Sequence, residues 1–416
     1  MKFRNFSVLS GVAALALLAT SCGDDGDDTA ASEEAADGTM VIWADPNRTD
    51  VLIPYAEQFS EAHGITVKVE SIPNEDLQDN FVTAHQAGSP PDLLVGAHDW
   101  TGNLVRNGAI DPVQLPQDKA DGFEPVALDA VTFDGQLYGV PYAMENLVLF
   151  RNTDLAPDAP ESIEDLVDHG KELKADGEVE EIMSLQVGSE GDAYHIYPLY
   201  TSAGGYLFGT DDEGNLDPDD MGVGTESSIE AFEKIAELGE KHEGALKRSI
   251  DSQNASPLFN EGKTAYLVSG PWAIADMKEA GVPYEISPVP GFADGEEARP
   301  FIGVQAFFVS SGGANKVFAQ EFVTNYVTET KLAVALYEAD PRPPALTAAL
   351  EAVSADDPDL AKIVEAGANG DPLPALPEMA AIWGPFGQAE AAVIAGEDVA
   401  EAVEAAGAAI SEQIGG

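Results

Sequence analysis

The sequence predicts an α/β protein divided into two lobes. Three observations carry that expectation. From residue 40 onward, strand and helix patterns alternate as β-α-β-α-β, the order that builds a parallel core. The chain has 416 residues, enough for two domains or one divided globule. The stretch Gly139 to Phe150, GVPYAMENLVLF, is apolar and extended, and long enough to leave one lobe and enter another.

The amino end reads as a targeting segment. Lys2 and Arg4 form a basic start, and Val8 to Leu18 is an apolar run too short to span a bilayer. Small residues Ala19, Thr20 and Ser21 lead to Cys22, the only cysteine. A lone Cys there excludes a disulfide framework and a cysteine zinc site. It resembles the lipid-modified first residue of a bacterial lipoprotein, although Ala19 stands where Leu is usual. Residues 1–21 are expected to be a signal peptide, and 22–39 an acidic linker without apolar period.

The folded part begins with a strand at Met40 to Ala44. Asp45 to Arg48 are expected to form its exit loop, and Thr49 to His63 a helix closed by Gly64. Ile65 to Glu70 reads as a strand, Asp76 to Ala87 as a helix, and Leu93 to Gly96 as a buried strand. Asp134-Gly135 marks a short hairpin. Helices are expected at Glu161 to Lys174, Tyr194 to Ala203 and Ser227 to His242, and a hairpin at Tyr206 to Leu216. Thr264 to Val268 is a strand, and Ser269, Gly270 and Pro271 punctuate it, leaving Trp272 at a strand-to-helix corner where ligands bind in α/β folds. Tyr284 to Val289 and Phe301 to Ser310 are strands, the second a return crossing. Asn315 to Tyr337 is one helical stretch, and the Ala-rich tail from Glu378 is helix interrupted at Gly384-Pro385.

Charge narrows the partners. Asp+Glu number 74 against 20 Lys+Arg, a net charge of −54. Such a field opposes nucleic acid and anionic membrane surface, and allows a neutral or cationic ligand. No cofactor is expected, since the phosphate-loop pattern fails at Pro257 and Gly222-Val223-Gly224 lacks a third glycine. No metal site is expected either; the acidic run Asp211 to Asp220 lacks calcium-loop spacing. Asp99, Glu145 and Asp192 could supply a glycosidase carboxylate pair, but 74 acids make some such pair inevitable. The aromatic set is more informative. Trp43 lies within a strand and reads as core, while Trp100, Trp272 and Trp383 fall near element ends. Tyr142, Tyr194, Tyr197 and Tyr206 lie in the middle segment. Flat rings stack on the C–H faces of sugars, and carboxylates and amides bind the hydroxyls between them.

Several segments carry a resemblance: VIW at Val41 to Trp43, PDLLVGAHDW at Pro91 to Trp100, YGVPYAMENLVLFRNTDL at Tyr138 to Leu155, YPLYTSAGGYLF at Tyr197 to Phe208, FNEGKTAYLVSGPW at Phe259 to Trp272, and LPALPEMAAIW at Leu373 to Trp383. In order from about Met40 to the carboxyl end, they resemble the maltose/maltodextrin-binding proteins of bacterial ABC importers. The resemblance implies a periplasmic-binding-protein-like fold, with two lobes around a central cleft and several hinge crossings. It implies lobes at 40–143 with 306–353 and at 148–301 with 358–416. It places Asn47, Arg48, Asp99, Trp100, Glu145, Asp192, Tyr194, Trp272 and Trp383 against an oligosaccharide. Gly96 stands where the family carries a Trp, Trp100 where it carries an Arg, and Gly387 where it carries another Arg. The implied protein is a monomeric, exported, lipid-anchored binder that passes maltodextrin-type sugar to permease subunits and is not an enzyme. The alternatives are trehalose or another disaccharide as ligand, a cationic ligand, and a secreted glycoside hydrolase.

Overall fold

The computed structural model describes residues 38–211 and 216–415. The signal segment, Cys22 and nearly all of the acidic linker lie outside the described residues, as does the tip of the hairpin that begins at Phe208.

Strand β1 (Thr39–Ala44) pairs parallel with β2 (Thr66–Ser71) and β3 (Leu93–Ala97). Helices α1 (Pro46–His63) and α2 (Asn74–Gln86) connect them, so the β-α-β-α-β order does build a parallel core. β3 is buried along Leu93–Gly96, as a central strand covered on both faces must be. The sheet then turns antiparallel. The ten-residue strand Phe301–Ser310 pairs with β3, with Ile110–Asp111 and with Gly139–Glu145, and runs parallel to Asp371–Pro372. A second, four-stranded sheet runs in the order Tyr284–Ser287, Val148–Asn152, Tyr266–Ser269, Ser184–Leu185.

The two sheets have separate cores. One gathers buried side chains from Met40 to Ala143 and from Val304 to Ala349. The other gathers them from Leu147 to Phe301 and from Leu373 to Ile410. A smaller cluster adds Val148, Phe150, Leu267, Met277 and Ile363 on the second sheet. The chain passes between sheets within two residues, Asn146 and Leu147, after the strand Gly139–Glu145. It returns along Phe301–Ser310, whose Phe301 packs in the second core and whose Val304 packs in the first. Both crossings lie where the sequence places them.

Several element boundaries differ from expectation. Residues 46–48 are the first turn of α1, not a loop: the Asp45 side chain accepts from the Arg48 N–H at 3.1 Å, and Pro46 occupies the opening position. Trp100–Arg106 forms a helix, α3, directly after β3. The helix expected at Ser227 to His242 spans Glu226–Glu237. The stretch Asn315 to Tyr337 divides into Lys316–Asn325 and Thr330–Ala339. The break falls among Thr324, Thr328 and Thr330, and the first two hydroxyls bond back to carbonyls one turn earlier. The tail helix Met379–Ile394 runs unbroken through Pro385. Gly384, the residue before the proline, has no Cβ, so the clash with the proline ring that usually excludes this position from helix is reduced. Trp43 is half-buried rather than core, its indole N–H donating to Glu70 at 2.9 Å.

Candidate functional site

A cavity of about 820 Å3 lies between the two cores. Residue Trp100 in its lining belongs to the first core, while Tyr194, Trp272 and Trp383 pack on the second. All nine residues that the sequence places at the ligand line it: Asn47, Arg48, Asp99, Trp100, Glu145, Asp192, Tyr194, Trp272 and Trp383. Of the wider aromatic set, three tyrosines stand elsewhere. Tyr142 lies under Arg48, whose Nε bonds its hydroxyl. Tyr197 stacks on Phe301 with centroids 3.5 Å apart and donates to Asp371 at 2.9 Å. Tyr206 donates outward to Asp220 at 3.2 Å.

Local sequence puts each group in place. β3 ends at Ala97, and His98 then locks the corner: its Nδ1 accepts from the Val304 N–H at 3.0 Å while Nε2 faces the Leu373 carbonyl at 2.8 Å. That fixes Asp99 at the start of α3. Trp100 folds back over Gly96, where any Cβ would lie 2.0 Å from the indole. The ring missing at position 96 is thus replaced from position 100, in the space that Gly96 leaves free. Gly270 does the same for Trp272, with 2.1 Å between a built Cβ and the ring. Gly387 packs backbone to backbone on Gly191, so a long side chain there would need that contact to open.

Charge in the cavity is arranged in pairs. Arg48 pairs with Asp45 through Nη1 and lies 3.9 Å from Asp340. Arg342 pairs with Glu145 through Nε and with Asp340 through Nη1, and its guanidinium lies 5.2 Å from the Trp272 ring centre. Gln305 donates to the other Glu145 oxygen at 2.9 Å. Burial alone would raise the Glu145 carboxyl, but Arg342, Arg48 and Gln305 outweigh it and hold it below the usual range. Asp99 is the contrast. Burial, aided by repulsion from Glu145, pushes its carboxyl up to about 7, against the pull of its own backbone N–H and the Trp383 side chain. Its side chain caps nothing on α3. The Tyr194 hydroxyl is also buried, and has no hydrogen-bond partner among the described residues.

Asp192 stands at the start of the helix Ala193–Ser202. One oxygen accepts from the N–H of Tyr194 and of His195, at 3.1 and 3.0 Å. The other accepts from Gln186 Nε2 and lies 3.1 Å from His195 Nδ1. Sequence reasoning missed His195, Gln305 and Arg342, which line the same cavity, along with Asn74, Glu75 and Gln78 at the opening of α2. Arg342 had one visible signal, a lone cation inside the proline-rich break from Pro341 to Pro344. His195 had none, since a His three residues into a helix is ordinary.

The site can hold a neutral, hydroxyl-rich molecule between rings. Among the described residues, no group of three or more His, Cys, Asp or Glu is placed to hold a metal. No helix among them is long and apolar enough to cross a membrane.

Comparison with known proteins gives a consistent picture. Residues 54–362 match the family described as bacterial extracellular solute-binding protein. A galactooligosaccharide-binding protein of Bacillus subtilis is 27% identical over 98% of this chain and 97% of its own. A maltodextrin-binding protein of the same organism is 27% identical over 84% of each chain. A maltooligosaccharide ABC transporter solute-binding lipoprotein of Streptococcus pneumoniae is 26% identical, over 92% of this chain and 91% of its own.

Proposed function

For a chain that belongs to the bacterial extracellular solute-binding proteins, we propose that the cavity captures a neutral oligosaccharide of the maltodextrin type and that the protein delivers it to an ABC importer. The carrying observation is the lining itself: three tryptophans and a tyrosine from two cores, with Asp99, Glu145 and Gln305 among them. Aromatic walls with a few convergent polar groups suit a sugar, which is apolar on its ring faces and polar at its rim. The two cores act as lobes, 40–143 with 306–353 and 148–301 with 358–416, that close on the ligand about the crossings. The protein is exported, anchored through lipid on Cys22, works as a monomer and binds without cleaving.

A galactooligosaccharide is the second reading, favoured by a relative of that specificity that aligns with 98% of the chain. A cationic ligand is disfavoured, because Arg48 and Arg342 already pair with Asp45, Asp340 and Glu145 and place two positive charges in the lining. A thermal-shift and calorimetry panel of maltotriose, a galactotriose, trehalose and spermidine tests the proposal. A ligand at 100 times its Kd adds about 2.7 kcal/mol to stability. Binding of maltotriose supports the first reading, and binding of galactotriose alone supports the second. Spermidine alone, or no binding, overturns both, and release of glucose from maltotriose would make the protein a hydrolase.

A further inference from the structure

We infer that the amide oxygen of Gln305 accepts a hydrogen bond from one ligand hydroxyl, which makes Gln305 a specificity-determining residue of the cavity. The inference rests on the reading of the cavity as an oligosaccharide site.

Gln305 lies on the strand Phe301–Ser310, which carries the chain back between the two cores. Its register sets it opposite Ala97 of β3 on one side and Ala143 on the other, so the backbone here is held from both edges. Residues opposite each other on neighbouring strands share a face. Ala97 lines the cavity too, so the Gln305 side chain stands on the cavity face, beside a single methyl group. The register against Gly139–Glu145 slips between Gln305 and Ala306, which leaves Tyr142 between the paired residues. An irregularity of this kind re-aims a side chain, and such features gather beside functional sites.

The neighbour of the amide fixes which way it points. One end lies 2.9 Å from Glu145 Oε1, and the other Glu145 oxygen takes Arg342 Nε. Burial would raise that carboxyl, but Arg342, Arg48 and Gln305 outweigh it, so it is ionised and only accepts. The Gln305 nitrogen must therefore face Glu145, and the oxygen is turned away. That oxygen is buried and has no hydrogen-bond partner among the described residues, although the residue is only 5% exposed and lines the cavity. It is a neutral acceptor, held in place at the wall of the site and unpaired. A sugar hydroxyl that donates to it removes the cost of leaving it so. A ligand without that hydroxyl leaves the cost in place, which is how a site built around one hydroxyl rejects the deoxy analogue.

The test is a cycle between variant and ligand, read by calorimetry. The probes are maltotriose and its monodeoxy analogues, or the galactotriose series if the parent binds that instead. In the parent, removing one particular hydroxyl should weaken binding by about tenfold or more, a change of about 1.4 kcal/mol. Gln305→Met, which keeps the length and drops the amide, should weaken binding of the intact sugar by a similar factor and lose nothing further for that one analogue. A purely structural role behind Glu145 would instead lower every ligand by the same factor. That outcome, or parent-like affinity of Gln305→Met, would overturn the inference while leaving the oligosaccharide reading intact. Melting curves show whether the variant folds. If it does not, a crystal structure of the parent with bound sugar decides: a hydroxyl within about 3.2 Å of Gln305 Oε1 supports the inference, and none there overturns it. A parent that binds neither sugar overturns the oligosaccharide reading first, and the inference with it.

Discussion

Individual side chains in the cavity are built for different tasks, and their burial separates them. Trp100 is 8% exposed and belongs to a core, whereas Trp272 is half-buried against two clusters. Truncating a buried aromatic costs about 3–5 kcal/mol. Trp100→Ala should therefore melt well below the parent, while Trp272→Ala should lose less stability and at least about tenfold in sugar affinity. Melting curves beside sugar titrations check both. A Trp272→Ala protein that melts far lower yet binds normally would make Trp272 a core residue. Asp99 gives a pH signature. Its folded carboxyl is raised to about 7 from an ordinary 3.8. At pH 3 both folded and unfolded chains hold the proton, and the group contributes nothing. As pH rises from about 4 to about 7 the unfolded chain ionises first, so stability falls across that window and stays lower above it. Asp99→Asn removes this loss. It should melt above the parent at pH 8 by an amount that shrinks toward pH 4, and equal differences at both pH values would count against the buried-acid account.

At the scale of elements, the strands and crossings were legible because their signals are local and strong. Phe301 to Ser310 is a single apolar run, and the structure gives it the same ends. What stayed hidden depends on partners distant in sequence. Asn47 and Arg48 read as loop because Asp45 and Pro46 look like turn residues, although Asp followed by Pro is also how a helix starts. Arg342 earns its place only through Glu145 and Asp340, which meet it from the end of one strand and the end of one helix. Asp192 is expected at the ligand, and spacing cannot reveal that the N–H groups of Tyr194 and His195 and the Gln186 amide already bond its oxygens. The first turn of α1 carries the element-scale prediction. Asp45 caps that turn and also pairs with the buried Arg48. Losing a cap alone costs about 1 kcal/mol. Asp45→Ala should cost more than that in denaturant unfolding, because a guanidinium 4% exposed loses a charged partner. Asp45→Asn, which keeps the cap oxygen but not the charge, should recover only the share that belongs to the cap, and an Asp45→Asn protein as stable as the parent would show that the ion pair contributes nothing.

For the molecule as a whole, the dominant long-range term is like-charge repulsion. With 74 acids against 20 Lys and Arg, most carboxylates have no cation to meet. Many ion pairs that do form are at least partly exposed, among them Lys171 with Asp168, Lys278 with Asp357 and Arg248 with Glu240. Exposed pairs are each worth about 0–1 kcal/mol, so screening them costs little. The pairs that order the cavity, Arg48–Asp45 and Arg342–Glu145, are buried and screened much less. Added salt therefore acts mainly on the unpaired acids, whose repulsion reaches about 10 Å at 0.1 M ionic strength and about 3 Å at 1 M. Repulsion destabilises the compact state more than the expanded chain, because folding brings the charges closer together. The melting temperature should rise as sodium chloride goes from low to molar concentration, with the steepest rise below about 0.2 M, where the screening length changes fastest. Sugar affinity should change far less over the same range, since a neutral ligand meets charges already paired in the cavity. Calorimetric melting and sugar titration at each salt concentration test the two halves together. A flat or falling melting temperature would contradict the repulsion account, and an affinity that collapses with salt would mean that the ligand carries charge.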